Sequence, residues 1–294
     1  MGIMANEPSS PKAQRRRLDL ATVIGILVGT VGILGGLLVE GGKFSDIIQY
    51  SAALIVGAGT AGAVLVTTPS PLIRAALRRL KDVIFETTTP RAALTSQLLH
   101  FARQARRSGI VSLEETANAI AHNPFLKKAL SLAVDGTDLQ DLRRIMELEI
   151  ETAARRGEAE AKVFETAGGY APTIGIIGAV LGLIQVMKHL EDIERVGHGI
   201  AVAFVATVYG VALANLLLLP AGAKIKARLE RSLEDMELVL EGVIGIAEGM
   251  NPKLLETKLG AFLGEEEAAV VADDPSPAKG YTREHLAPTQ RGTV

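Results

Sequence analysis

Inside the long apolar runs of this sequence, the polar chemistry is that of hydroxyls and amides, among them Thr22, Thr30, Ser51, Thr60, Thr173, Gln185, Thr207, Tyr209 and Asn215. No Asp, Glu, Lys, Arg or His lies deep in any of the four runs, roughly 20–39, 47–67, 171–187 (extending to 190) and 200–221. Hydroxyls and amides can line a path for an ion, but none of them takes up and releases a proton near neutral pH. A charge at mid-bilayer costs about 2.5–3.5 kcal/mol on the insertion scale, so a chain keeps one there only for function. If ions cross at these helices, the titrating carboxylate belongs to another polypeptide.

Two further groups are suited to contact rather than catalysis. Arg106 and Arg107 are followed closely by Glu114 and Glu115 in FARQARRSGIVSLEETA, a compact cluster of opposite charges. A solvated surface patch is the plain reading of such a cluster. Pro172 stands near the start of the third run and Pro220 near the end of the fourth. A proline in the first turn of a helix costs nothing, whereas one deeper inside removes a hydrogen bond and loosens the helix.

Each run is long enough to cross a bilayer core of about 30 Å, which takes about 20 helical residues. The first is too long for a signal-peptide core, and VEGGKFSD after it is a poor cleavage site, so it reads as a retained anchor. Lys12 and Arg15–Arg17 precede run one, Arg74, Arg78, Arg79 and Lys81 follow run two, and Lys224, Lys226, Arg228 and Arg231 follow run four. The positive-inside rule then puts both termini and the segment 68–169 in the cytoplasm, with VEGGKFSD and KHLEDIERVGHG as outer loops.

Small residues recur within the runs: Gly175, Gly178 and Gly182 in the third, Ala203, Thr207, Gly210 and Ala214 in the fourth, and Gly25, Gly29, Gly32 and Gly36 in the first. In lipid, helices associate through close backbone approach rather than apolar burial. The first stripe reads as an ordinary packing face. The stripes of runs three and four read as faces packed on another helix or lining a path.

The expected fold is an all-α membrane protein with four transmembrane helices, N-in and C-in, a helical cytoplasmic domain between spans two and three, and a helical C-terminal extension. The divisions are 1–17, a polar tail; 18–67, spans one and two; 68–169, the cytoplasmic domain; 170–222, spans three and four; 223–263, C-terminal helices; and 264–294, a Pro- and acid-rich tail read as disordered. Within 68–169, Pro90, Gly109, Pro124 and Gly136 punctuate helical periodicity. Ser112-Leu-Glu-Glu115 reads as a capping box, Thr137 as a cap, and the helix after it runs on to the Gly168-Gly169 pair. With 294 residues, 48% hydrophobic content and no cysteine, the chain can hold neither disulfides nor thiolate metal sites. No nucleophile elbow or phosphate loop occurs, so an enzyme is not expected, and neither is any cofactor or metal.

Beyond these readings, the sequence resembles the flagellar motor stator subunits of the MotA/PomA family. VEGGKFSDIIQYSAALIVGAGTAGAVLVTTP, FARQARRSGIVSLEETA, GGYAPTIGIIGAVLGLI, GIAVAFVATVYGVALANLLLLPAGAKIK and EGMNPKLLETKLGAFL carry the resemblance, in order, over roughly 20–263. It implies a homopentamer in the bacterial inner membrane around a MotB/PomB-type single-span, peptidoglycan-anchored partner that contributes the ion-carrying Asp. It implies that spans three and four face that partner, with Ala179, Ala206, Thr207 and Tyr209 at the ion path. It also implies that Pro172 and Pro220 are the family's conformational prolines, and that Arg106, Arg107, Glu114 and Glu115 engage the rotor switch protein FliG. Sodium-type members carry Thr where this chain has Ala179 and Ala206. Fewer hydroxyl ligands favour H⁺ over Na⁺ as the transported ion. The competing expectations are an ExbB/TolQ-like energiser of a cell-envelope process, whose members have three spans and an outer N-terminus, and a scaffold that conducts nothing.

Overall fold

The computed structural model describes residues 17–86, 90–120 and 123–264. The expectations for 1–16 and for the tail beyond 264 fall outside the described residues. The described residues are helical nearly throughout, apart from one antiparallel two-residue pairing of β1 (Arg17–Leu18) with β2 (Phe85–Glu86). Packing divides it into two units, the first formed by 16–87 with 151–233 and the second by 88–150 with residues from 234 onward. This grouping joins 88–150 to the C-terminal helices and gives 68–87 and 151–169 to the apolar helices.

The first unit begins with α1 (Leu20–Val39) and α2 (Tyr50–Thr67), followed by α3 (Ser70–Ile84). Asp19 caps α1 by accepting from Thr22 N at 3.2 Å. No residue of α1 is buried in the chain. In α2 the buried positions Ala52, Val56, Thr60 and Val64 recur every fourth residue, which puts one stripe against its neighbours. Pro69 stops α2 and serves as the N-cap of α3, since the residue before a proline leaves the helical region.

The second unit holds α4 (Arg91–Ser108), a 3₁₀ turn (Ile110–Leu113), α5 (Glu114–Ala119) and α6 (Pro124–Val134). The chain then enters α7 (Leu139–Lys188), and later returns through α9 (Leu219–Ala247) and α10 (Pro252–Gly260). Its core is aliphatic and large: Leu98, Leu113, Leu126, Leu130, Leu142 and Met146 are fully enclosed, with Leu238, Val243, Leu255 and Leu259. Asn123 and Asn251 cap α6 and α10, each followed by a proline at the first helical position. Glu241 accepts from Arg143 at 2.7 Å and Lys258 at 2.5 Å, and although burial opposes it, these two cations hold its carboxyl below the usual range.

Several local expectations are corrected. The Ser112 capping box does not form, because Ser112 lies in the 3₁₀ turn and its Oγ donates back to Gly109 O at 2.7 Å. Asp138, not Thr137, accepts the capping bond, from Gln140 N at 2.8 Å. The Gly168-Gly169 pair does not interrupt α7, which runs through it and through Pro172 to Lys188. Pro172 is therefore interior rather than in a first turn. The segment expected as the second outer loop shrinks to 189–192, since Asp192 caps α8 (Ile193–Ala212) by accepting from Glu194 N and Arg195 N, both at 3.2 Å.

Candidate ion-path seam and charged turn

Helices α7 and α8 meet backbone to backbone. A methyl added at Gly175 would lie 2.9 Å from Ala206 O, one at Gly182 would lie 2.7 Å from Gly199 O, and one at Gly210 would lie 2.5 Å from Ala171 O. Only glycine admits such an approach, so the sequence's two small-residue stripes close on each other within one chain. α2 joins the seam through Ala52 and Val56, which enclose Ala206 together with Val205.

That packing decides where the expected site residues stand. Ala206 is 0% exposed, and a methyl on Gly178 would lie 2.7 Å from its Cβ, so it offers no surface to a second chain. Ala179, one residue beyond Gly178, is half-buried at the edge of the seam. Thr207 is half-buried, and its hydroxyl donates to Ala203 O at 3.2 Å. Tyr209 spans to the start of α2, where its hydroxyl donates to Ile47 O and accepts from Gln49 N at 3.4 Å. It therefore holds the loop before α2 in position. Over 173–187 and 200–212 the faces of α7 and α8 turned away from the seam are mostly apolar, with Ile177, Val180, Ile184, Phe204, Val208 and Val211 exposed. Thr173 among them and Asn215 just beyond are polar, and both satisfy themselves on their own helix, at Tyr170 O (2.8 Å) and Val211 O (2.9 Å).

The two prolines act at one level. Pro172 has no N–H for the carbonyl of Gly168. Gly168 is packed on the residues just before Pro220: a methyl there would lie 2.6 Å from Leu219 Cδ2 and 3.6 Å from Leu218 Cβ. Pro220 in turn sits at the second residue of α9, directly after a π-helical turn, Leu213–Leu218. Its missing N–H and its ring crowding the carbonyl four residues back account for the widened turn. Two weakened helical turns therefore face each other across one contact.

Below the seam residues in sequence, Asp19 gathers three donors: Lys224 Nζ at 2.6 Å, Arg228 at 2.8 Å and Thr22 N. The Lys224 hydrogen bond, aided by Thr22 and Arg228, holds its carboxyl far below the usual carboxylate range despite burial. Arg228 also donates to Phe85 O at 2.6 Å. Arg79 on α3 pairs at 2.7 Å with Glu160 on α7, whose side chain is almost wholly enclosed. Sequence reasoning missed both groups. An Asp directly before an apolar run was the available signal for the first; the second joins residues 81 apart and leaves no local trace.

In the second unit, the four expected contact residues flank one turn. Arg106 and Arg107 occupy the last turn of α4, and Glu114 and Glu115 the first turn of α5. Those placements suit the helix dipoles, cations at a C-terminus and carboxylates at an N-terminus. Gly109 turns the chain with φ +79°, and Gln104 Nε2 fixes the turn by donating to Ser112 O at 2.9 Å. Leu113 and Ala117 anchor it to the core, while all four charged side chains stay exposed and form no ion pair among the described residues. Among the described residues no cluster of three or more potential metal ligands occurs.

Both family models and solved structures match this chain. Residues 117–238 match the MotA/TolQ/ExbB proton channel family, and residues 23–109 match the motility protein A N-terminal family. Motility protein A of Bacillus subtilis is 33% identical over 277 residues, covering 92% of this chain and 100% of that protein. The solved MotAB of C. jejuni superposes with a TM-score of 0.80 at 34% identity, over 85% of this chain and 97% of that one. The flagellar MotAB stator complex of Bacillus subtilis gives 0.78 at 33% identity, over 85% and 98%.

Proposed function

The chain belongs to the MotA/TolQ/ExbB proton channel family and, within it, to the motility protein A group; from that membership we propose that it is the multi-span stator subunit of a bacterial flagellar motor. The four helices long and apolar enough to cross a membrane do so with both termini cytoplasmic. The complex lies in the inner membrane, as a homopentamer around a single-span partner of the MotB kind. It carries out transport, not catalysis of a chemical reaction.

One observation carries this reading. Over 173–187 and 200–212, α7 and α8 are sealed to each other by glycine and leave outward faces that are apolar and carry no Asp, Glu, Lys, Arg or His. Such a pair can form the wall of an ion path, but the group that is charged and discharged has to come from the helix it surrounds. An acid on the partner supplies that group. The ion is H⁺, because Ala179, at the edge of the seam, brings no hydroxyl oxygen with which to replace the hydration shell of Na⁺.

Each charge crossing 100 mV releases about 2.3 kcal/mol. That is enough to bias the pair of weakened turns at Pro172 and Pro220, and too little to unpack a close-packed seam. The bias turns the subunits past the partner, and Arg106, Arg107, Glu114 and Glu115 transmit the motion to complementary charges on the rotor protein FliG.

The test is to purify the chain with and without a co-expressed single-span partner, count subunits, and measure ion flux in liposomes. A five-to-two assembly that conducts only with the partner's acid intact supports the reading. Conductance by this chain alone, through a side chain of its own, overturns it. Swimming that follows external Na⁺ and survives a proton uncoupler overturns the choice of ion.

A further inference from the structure

Helix α3 is tied at both ends to membrane-crossing helices on one side of the bilayer. It starts at Ser70, directly after α2 ends at Thr67. It finishes where Ile84 O accepts from Asp19 N at 2.8 Å, the residue that caps α1. α1 and α2 are joined by a short outer loop, so the start of one and the end of the other share a leaflet. Fifteen residues span about 22 Å, which a helix can cover between two such points only by running along the surface.

Its sides are unlike. Ala76 and Val83 are buried against Ala161, Phe164, Ala221 and Ile225. Leu77, Leu80 and Ile84, at 56, 40 and 40% exposure, share a second side left open among the described residues. Beside them, spaced by four and three residues, stand Arg74, Arg78 and Lys81. The Nε groups of Arg74 and Arg78 donate to carbonyls of their own helix, and none of the three cations is in an ion pair among the described residues. Arg79, by contrast, is neutralised by Glu160.

We infer that α3 is an interfacial helix that seats its Leu77–Leu80–Ile84 stripe at the acyl boundary of the cytoplasmic leaflet and binds anionic phospholipid headgroups through Arg74, Arg78 and Lys81. An apolar stripe flanked by a cationic one is the surface chemistry that a negatively charged bilayer recognises. The cationic flank, on a helix strung between the end of α2 and the start of α1, favours an anionic lipid surface over a soluble partner. The inference rests on the membrane reading above. The lipid fixes α3, and α3 holds the Asp19 bracket through Ile84 and Phe85.

The chain has no cysteine, so a single label can be introduced anywhere. The full chain with its single-span partner is put into nanodiscs of phosphatidylglycerol or phosphatidylcholine. An environment-sensitive label is attached at Leu77→Cys, and in a control at Val31→Cys within α1. Nitroxide lipids labelled near the glycerol backbone should quench the label at position 77, and aqueous iodide should not. Changing Arg74, Arg78 or Lys81 to Gln should lower the excess of phosphatidylglycerol over phosphatidylcholine at that label about fivefold per cation. A label at position 77 reached by iodide and not by lipid overturns the inference. So does one shielded from both quenchers and crosslinked to a second copy, which would make the neighbouring subunit the occupant. A phosphatidylglycerol excess unchanged in the triple Gln variant overturns the headgroup assignment. If the label at position 31 escapes deep nitroxide lipids, the membrane reading itself fails, independently of α3.

Discussion

The two units of this chain are packed by opposite rules. In the unit of apolar helices the fully enclosed residues include Ala52, Ala171, Ala206 and Ala214, and large side chains such as Leu27, Leu54, Phe204 and Val208 point outward. In the other unit, Leu98, Leu126, Leu130, Leu142 and Met146 are enclosed, and Arg106, Arg107, Glu114 and Glu115 point outward. Water drives large side chains inward by their apolar area. Lipid gives no such drive, so helices join where their backbones can come close. Hydropathy therefore marks the core in one unit and the exterior in the other.

The most damaging change should be a side chain inserted in the seam. Gly182→Val puts atoms within 2.7 Å of Gly199 O and 2.8 Å of Ala203 N, both backbone, so α7 and α8 must separate along their length. The expected result is loss of any purifiable complex with the single-span partner. A variant that assembles with unchanged thermal stability would show that the seam is not the cohesive element of this unit. In the other unit the damaging change runs the opposite way, from large to small. Leu130→Ala leaves a cavity in a water-driven core and should cost about 2–5 kcal/mol, read as a lower denaturant midpoint for the lobe. An equal insensitivity of both units to these changes would remove the contrast between them.

What could be read from sequence follows the same division. The four long apolar helices were legible because length and composition show in a single run of residues, and the helices of the lobe because 3.6-residue periodicity is local. The small-residue stripes of α7 and α8 were legible as faces, and their closure on each other was not, since stripe spacing says nothing of the partner. For the same reason Ala206 read as a path residue, yet it is enclosed by Gly178, Ala52 and Val56. Helix breakers misled twice, at Gly168-Gly169 and at Pro172, where α7 runs unbroken; the widened turn lies instead before Pro220. The charges of the 3₁₀ turn were legible with their positions, and the Asp19 bracket was not, because its cations lie over 200 residues away.

Asp19 sharpens the contrast at the border of the apolar unit, where a charge is kept and neutralised rather than exposed. Asp19→Asn should lower the melting temperature by several degrees at neutral pH. Its folded value is depressed below the ordinary carboxylate value of about 3.9, so its contribution is full above that value. It is lost only as pH falls through the folded value. The gap between wild type and variant should thus be flat from pH 8 to about 5 and close below about 4. A gap that widens on acidification would assign the stabilisation to another group.

The smallest effect on stability should accompany a large effect on motility. Arg106 is exposed in the last turn of α4, forms no ion pair among the described residues, and gains only the dipole of its own helix end. Arg106→Ala should change the lobe's stability by no more than about 0.5 kcal/mol. Arg106→Glu should cost little more, because the added carboxylate meets water and not a buried partner. If the turn engages the rotor by charge, the reversal should nonetheless slow or stop swimming. A compensating reversal on the rotor helix should restore it, and raised ionic strength in a reconstituted contact should weaken the wild-type pair. A variant that loses motility together with its melting transition would instead make Arg106 a structural residue of the lobe. The same turn would then obey the packing rule of the core beneath it, and the exposed charges would be no separate surface.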